Sequence, residues 1–89
     1  MDLEDYRREI DRVNAEIVDA VSRRMNVAEE IGAYKKENGT DLRDNSREEE
    51  VKQQFEKLFE RKNLQKEKGR EMAQTLIEMA VEAEKGEIE

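Results

Sequence analysis

Residues 3–36 read LEDYRREIDRVNAEIVDAVSRRMNVAEEIGAYKK, and the placing of the apolar side chains in this stretch decides the fold. After Leu3 they recur at Tyr6, Ile10, Val13, Ile17, Val21, Ala28 and Ile31. Steps of three, four and seven follow one face of a helix, whereas a strand would alternate at every second position. Asp2 stands where a helix cap would, Asp5 follows three residues later, and Gly39 lies just past the last periodic residue. The spacing predicts one helix from about Asp2 to Lys36. Gly32 falls inside it at a cost of about 1 kcal/mol relative to Ala, which points to a close contact with another backbone or a ligand.

Outward from this stretch the chain remains helical. Ser46 followed by Glu49 has the form of a capping box, and Val51, Phe55, Leu58 and Phe59 make the apolar face of a second helix ending near Arg61. A loop around Asn63 and Leu64 leads to a third helix with an inner face of Met72, Ala73, Leu76, Ile77, Ala80 and Val81, and Gly86 is its expected stop. Glu37 to Asn45 is too polar for a strand and reads as a loop. Proline is absent from the chain. The expected class is all-α, three helices in one domain spanning residues 1–89, with no internal repeat.

Composition narrows the chemistry. The 89 residues are 35% hydrophobic and 46% charged, with 17 Lys and Arg against 24 Asp and Glu. There is no Cys and no His, which removes disulfides, thiolate metal sites, the commonest metal ligand and the usual general base near neutral pH. A net charge of −7 argues against nucleic acid as a partner. No apolar run approaches the ~20 residues needed to span a membrane. The opening Met-Asp-Leu-Glu-Asp lacks the basic and apolar regions of a secretory signal, so a cytoplasmic location is expected.

Length bears on assembly. A helix of about 35 residues spans ~52 Å at 1.5 Å per residue, while a compact globule of this size is only about 30 Å across. Two shorter successors cannot cover such a stripe, so an intertwined helical homodimer is expected.

The informative side chains are charges that interrupt the apolar faces. Extending the first face brings Arg24 and Lys35 onto or beside it, with Arg7 flanking its other end. On the second helix, Arg47 and Glu48 lie one turn before Val51, and on the third the face leads on to Glu84. Singly, Arg7 reads as a snorkelling side chain and Lys35 as a complement to the helix dipole. Arg24 is the strongest single case, because buried Arg is rare unless it meets an anion. Together they describe a pocket for a small, multiply anionic ligand, in which positioning and electrostatic stabilisation would do the chemistry without cofactor or metal.

Three blocks carry a resemblance to a known family. Tyr-Arg-Arg-Glu-Ile-Asp at 6–11 is similar to a Leu-Arg-x-x-Ile-Asp opening. Ser-Arg-Arg-Met-Asn-Val-Ala-Glu-Glu-Ile-Gly-Ala-Tyr-Lys at 22–35 resembles an Arg-x-x-(apolar)-Ala-x-x-(apolar)-Gly-x-x-Lys segment, and Arg-Asp-Asn-Ser-Arg-Glu at 43–48 resembles (Arg/Asp)-x-x-Arg-Glu. In this order and spacing they resemble the all-helical class of chorismate mutases, from Leu3 to about Glu84. The resemblance implies the Claisen rearrangement of chorismate to prephenate, a committed step toward phenylalanine and tyrosine. It implies that Arg24 holds a substrate carboxylate, joined by Arg7 from the other subunit of a homodimer. Lys35 would bridge a carboxylate and the ether oxygen, Arg47 would add positive charge, and Glu48 with the backbone near Asp44 would hold the ring hydroxyl. Glu84 falls where the family places a Gln or Glu on the ether oxygen. Ala80 stands where some members use Ser, so that contact is missing.

An ionised carboxylate cannot donate a hydrogen bond to the ether oxygen, so activity is expected to fall as Glu84 ionises. Two alternatives stand beside the mutase: an isochorismate–pyruvate lyase on the same scaffold, and a helical dimerisation module without activity.

Overall fold

The computed structural model describes the backbone of residues 1–88 and the side chains of residues 1–86. It contains three helices, α1 (Leu3–Asn38), α2 (Asn45–Arg61) and α3 (Lys66–Ile88), and no strand among the described residues. The all-α expectation holds.

Local interactions set both ends of α1 and the start of α2. At the start of α1 the Asp2 side chain accepts from Asp5 N at 2.9 Å, and the Asp5 carboxylate accepts from Asp2 N at 3.0 Å, a reciprocal capping box. At its end Gly39 takes the left-handed conformation, φ 62°, which glycine adopts without a Cβ penalty, and α1 runs two residues past the expected Lys36. The start of α2 corrects the expectation: its cap is Asp44, whose Oδ1 accepts from Arg47 N at 3.1 Å, rather than Ser46 with Glu49. Both residue types cap well, and the aspartate also places a negative charge at the positive end of the helix dipole. After α2, Asn63 adopts φ 60° and Leu64 N donates back to Phe59 O, turning the chain into α3. Gly86 does not stop α3. A single glycine costs a helix only about 1 kcal/mol, too little to end it where nothing requires a turn.

α3 is the central element, with α1 packed on one side and α2 on another, and the backbones of α1 and α2 do not approach each other closely. The core is small. Val51 of α2 meets Ala73 and Ile77 of α3, with Phe55 and Val81 partly buried around them. Ala28 and Gly32, one turn apart, are the buried positions of α1. Gly69 supplies a close approach: a Cβ there would lie 2.7 Å from the Phe55 carbonyl oxygen and 2.8 Å from the Phe59 ring. Leu58 and Met72, expected to face inward, are exposed, although their sequence neighbours Phe59 and Ala73 lie in the α2–α3 packing.

The molecule is long and flat, 55 × 23 × 14 Å with a radius of gyration of 16.1 Å. The N-terminal half of α1 projects beyond the other helices. Leu3, Tyr6, Ile10, Val13, Ile17 and Val18 are all exposed along it. Among the described residues no helix is long and apolar enough to cross a membrane.

Candidate active site

Where α1, α2 and α3 come together with the α1–α2 loop they line a half-open cavity of about 540 Å³. Its apolar lining comes from Val27, Ala28, Ile31, Val51, Ile77, Ala80 and Val81. Around that lining stand Arg23, Arg24 and Lys35 of α1, Leu42 and Asp44 of the loop, Arg47 and Glu48 of α2, and Glu84 of α3. Helical spacing explains the α1 wall. Arg24, Ala28, Ile31 and Lys35 follow one another at three and four residues, so the charges at either end share a face with the apolar residues between them.

The innermost pair is Lys35 and Glu84. Glu84 is 7% exposed, and its Oε1 accepts from Lys35 Nζ at 2.6 Å. The same ammonium donates to the Leu42 carbonyl oxygen at 2.6 Å, so the α1–α2 loop is drawn over the C-terminal end of α1. Arg24 is partly buried and donates from Nη1 to the Leu76 carbonyl oxygen at 3.2 Å. One bond leaves most of a guanidinium's five N–H donors for other acceptors. Arg47 lies at the mouth, exposed, paired with Glu50 at 3.2 Å.

Glu48 is gripped by Arg43, which donates from Nε to Oε2 at 3.0 Å and from Nη2 to Oε1 at 2.8 Å. That guanidinium holds the Glu48 carboxyl below the usual carboxylate range, against the opposing effect of burial. Arg43 is held above its already high ordinary value, first by Glu48 and then by Glu78.

The sequence-predicted residues Arg24, Lys35, Asp44, Arg47, Glu48 and Glu84 thus meet around one cavity. Arg7 does not join them. It is exposed on the projecting half of α1 and pairs with Glu4 at 2.7 Å. Seventeen residues of helix separate it from Arg24, about 26 Å at 1.5 Å per residue. Sequence reasoning missed Arg23, the Leu42 carbonyl and Arg43. Arg23 follows from its neighbour by helical spacing to Val27, whereas the other two depend on how the loop folds back. For Arg43 the available signal is its place one residue before the Asp44 cap.

The fold and cavity define the class: an all-helical protein in which cations and carboxylates from three helices surround an apolar-lined cavity. The protein-family model of chorismate mutase type II matches residues 6–85, and the chain belongs to that family. No curated protein and no solved structure matches it in the corresponding comparisons.

Proposed function

We propose that the protein is an isomerase that converts chorismate to prephenate in this cavity, with residues 1–89 acting as one catalytic domain. The observation that carries the reading is the convergence of Arg24, Lys35, Arg47, Glu48 and Glu84 on one cavity in a chain of this family. The rearrangement breaks a carbon–oxygen ether bond and forms a carbon–carbon bond within one molecule. It transfers no proton and needs no nucleophile, so a site without His or Cys is adequate. Arg24 takes one carboxylate through the guanidinium donors that Leu76 leaves over. Lys35 exchanges part of its contact with Glu84 for a substrate carboxylate and the ether oxygen, whose negative charge grows in the transition state. Glu48 accepts the ring hydroxyl beside the backbone of Asp44, and Arg47 adds positive charge at the mouth. Glu84, when protonated, donates to the ether oxygen.

The site is completed by a second chain in a homodimer. The exposed apolar residues of α1 from Leu3 to Val18 support this, since a stripe of that length is a surface built for burial. Arg7 lies on that half of the helix, about 26 Å from its own Arg24, and serves the partner's cavity. A cytoplasmic location completes the reading, and no cofactor is invoked.

The test is a proton NMR time course with chorismate and, separately, isochorismate. Prephenate from chorismate is the expected product. Pyruvate from isochorismate as the main product would reassign the protein as the lyase, and a folded dimer inert to both would leave a dimerisation module.

A further inference from the structure

The α1–α2 loop carries two cavity-lining residues, Leu42 and Asp44, with Arg43 between them outside the lining. Each of the three is tied to a different place. The Leu42 carbonyl accepts from Lys35 of α1 at 2.6 Å, and the Asp44 carboxylate caps α2. Arg43 places two parallel bonds on Glu48 and a third, at 3.3 Å, on Glu78 Oε1 of α3, which also accepts from Gln74 at 2.8 Å. Of the three, Arg43 is the one whose side chain ends on another cavity-lining side chain.

Exposed ion pairs contribute little to stability, and Arg43 is 42% exposed at its side chain. Glu48, at 15%, is not. A guanidinium fork constrains both the position and the rotation of the carboxylate it meets, whereas an ammonium is a point contact. Each Glu48 oxygen retains acceptor capacity beyond its bond to Arg43, so the fixed carboxylate remains able to receive a hydroxyl.

We propose that Arg43 is a positioning residue: its fork holds the Glu48 carboxylate in one orientation at the cavity wall to receive the substrate's ring hydroxyl. The proposal rests on the mutase reading above. The favoured ionisation of Glu48, whose carboxyl Arg43 holds below the usual carboxylate range, agrees with it. Around that carboxylate stand Arg43 and Asp44 of the loop, Arg47 and Lys52 of α2, Glu78 and Glu84 of α3, and Arg24 and Lys35 across the cavity on α1.

The experiment compares chorismate turnover between pH 4 and 8 for the parent chain, Arg43→Lys, Arg43→Gln, Glu48→Gln and the Arg43→Gln/Glu48→Gln pair. Arg43→Gln is expected to lower kcat/KM about tenfold, mainly through KM, and to have less than about a twofold effect once Glu48 is already Gln. Its acid limb should move up by about one pH unit as Glu48 protonates more readily, while Arg43→Lys keeps the limb low and recovers only part of kcat/KM. An equal loss in both backgrounds, or an unmoved acid limb, overturns the proposal and leaves the mutase reading intact. If Arg43→Gln does not fold, carbon-13 titration of the parent's glutamates decides. A depressed Glu48 supports the proposal, and an ordinary one overturns it. A parent chain that does not turn over chorismate overturns the functional reading and this proposal together.

Discussion

Lys35 and Glu84 sit 2.6 Å apart with both side chains largely removed from water, and in the proposed reaction both turn to the same ether oxygen. Replacing Lys35 by Ala removes the cation that meets the growing oxyanion. The expected loss in kcat is about 10²–10³, or roughly 3–4 kcal/mol, measured by chorismate consumption. It also strands Glu84, so Lys35→Ala should melt lower than the Lys35→Ala/Glu84→Gln pair, which buries no lone carboxylate. Glu84→Gln makes a donor that does not titrate. The parent is expected to lose activity toward alkaline pH, while the variant keeps its rate there. Identical pH–rate profiles would remove Glu84 from the ether oxygen. At the acid end the sign is opposite. Arg43 and Arg70 favour the ionised forms of Glu48 and Glu49 in the folded chain and hold both carboxyls below their ordinary range, so those pairs contribute stability above the unfolded carboxylate value, near 4.3. That stability is lost as pH falls through the lower folded values, and melting temperature should drop more steeply between pH 5 and 3 in the parent than in Arg70→Gln.

Among the helices, two glycines of α3 separate packing from propensity. At Gly69 a methyl group would strike the Phe55 carbonyl and the Phe59 ring, so α2 and α3 must part. Gly69→Ala is expected to destabilise by about 1–3 kcal/mol despite its better helix propensity. Gly86 has open space around it, and Gly86→Ala should stabilise by up to about 1 kcal/mol. Thermal melts of the two variants should therefore move in opposite directions. The cap of α2 gives a similar contrast. Asp44→Ala removes the acceptor of Arg47 N and should cost about 1 kcal/mol, while Ser46→Ala, inside the helix, should cost almost nothing.

Over the whole molecule, 55 Å of length against 14 Å of thickness leaves the projecting half of α1 without cover. Ile10 and Ile17 are 60% and 52% exposed on it. Replacing both by Glu should convert a dimer to a monomer by light scattering and abolish turnover, because each cavity would lose the partner's Arg7. Mixing inactive Arg7→Ala and Arg24→Ala chains offers the converse check. Each mixed dimer would hold one site with both arginines intact, so activity should return; failure of exchanged chains to recover it would place Arg7 outside the site.

The helices, the α1 boundaries and most of the cavity's charged residues were readable from the chain, because periodicity and capping act within a few residues of sequence. Arg24, Lys35 and Glu84 stood out as charges lying where an apolar face should continue, a pattern that needs no tertiary information. The start of α2 was misread because Asp44 and Ser46 are both good caps, and local sequence does not rank them. Gly69 and Arg43 were opaque for a different reason. The value of a missing Cβ depends on how closely α2 crosses α3, and a loop arginine reads as solvated until the loop folds back to bring Glu48 and Glu78 within reach. The sequence by itself determined the all-helical fold and the chemical character of the cavity, since both follow from residue type at helical spacing. The tertiary structure alone decided which of those charges meet, because Lys35 and Glu84 are 49 residues apart and only the packing of α1 on α3 brings them to hydrogen-bonding distance.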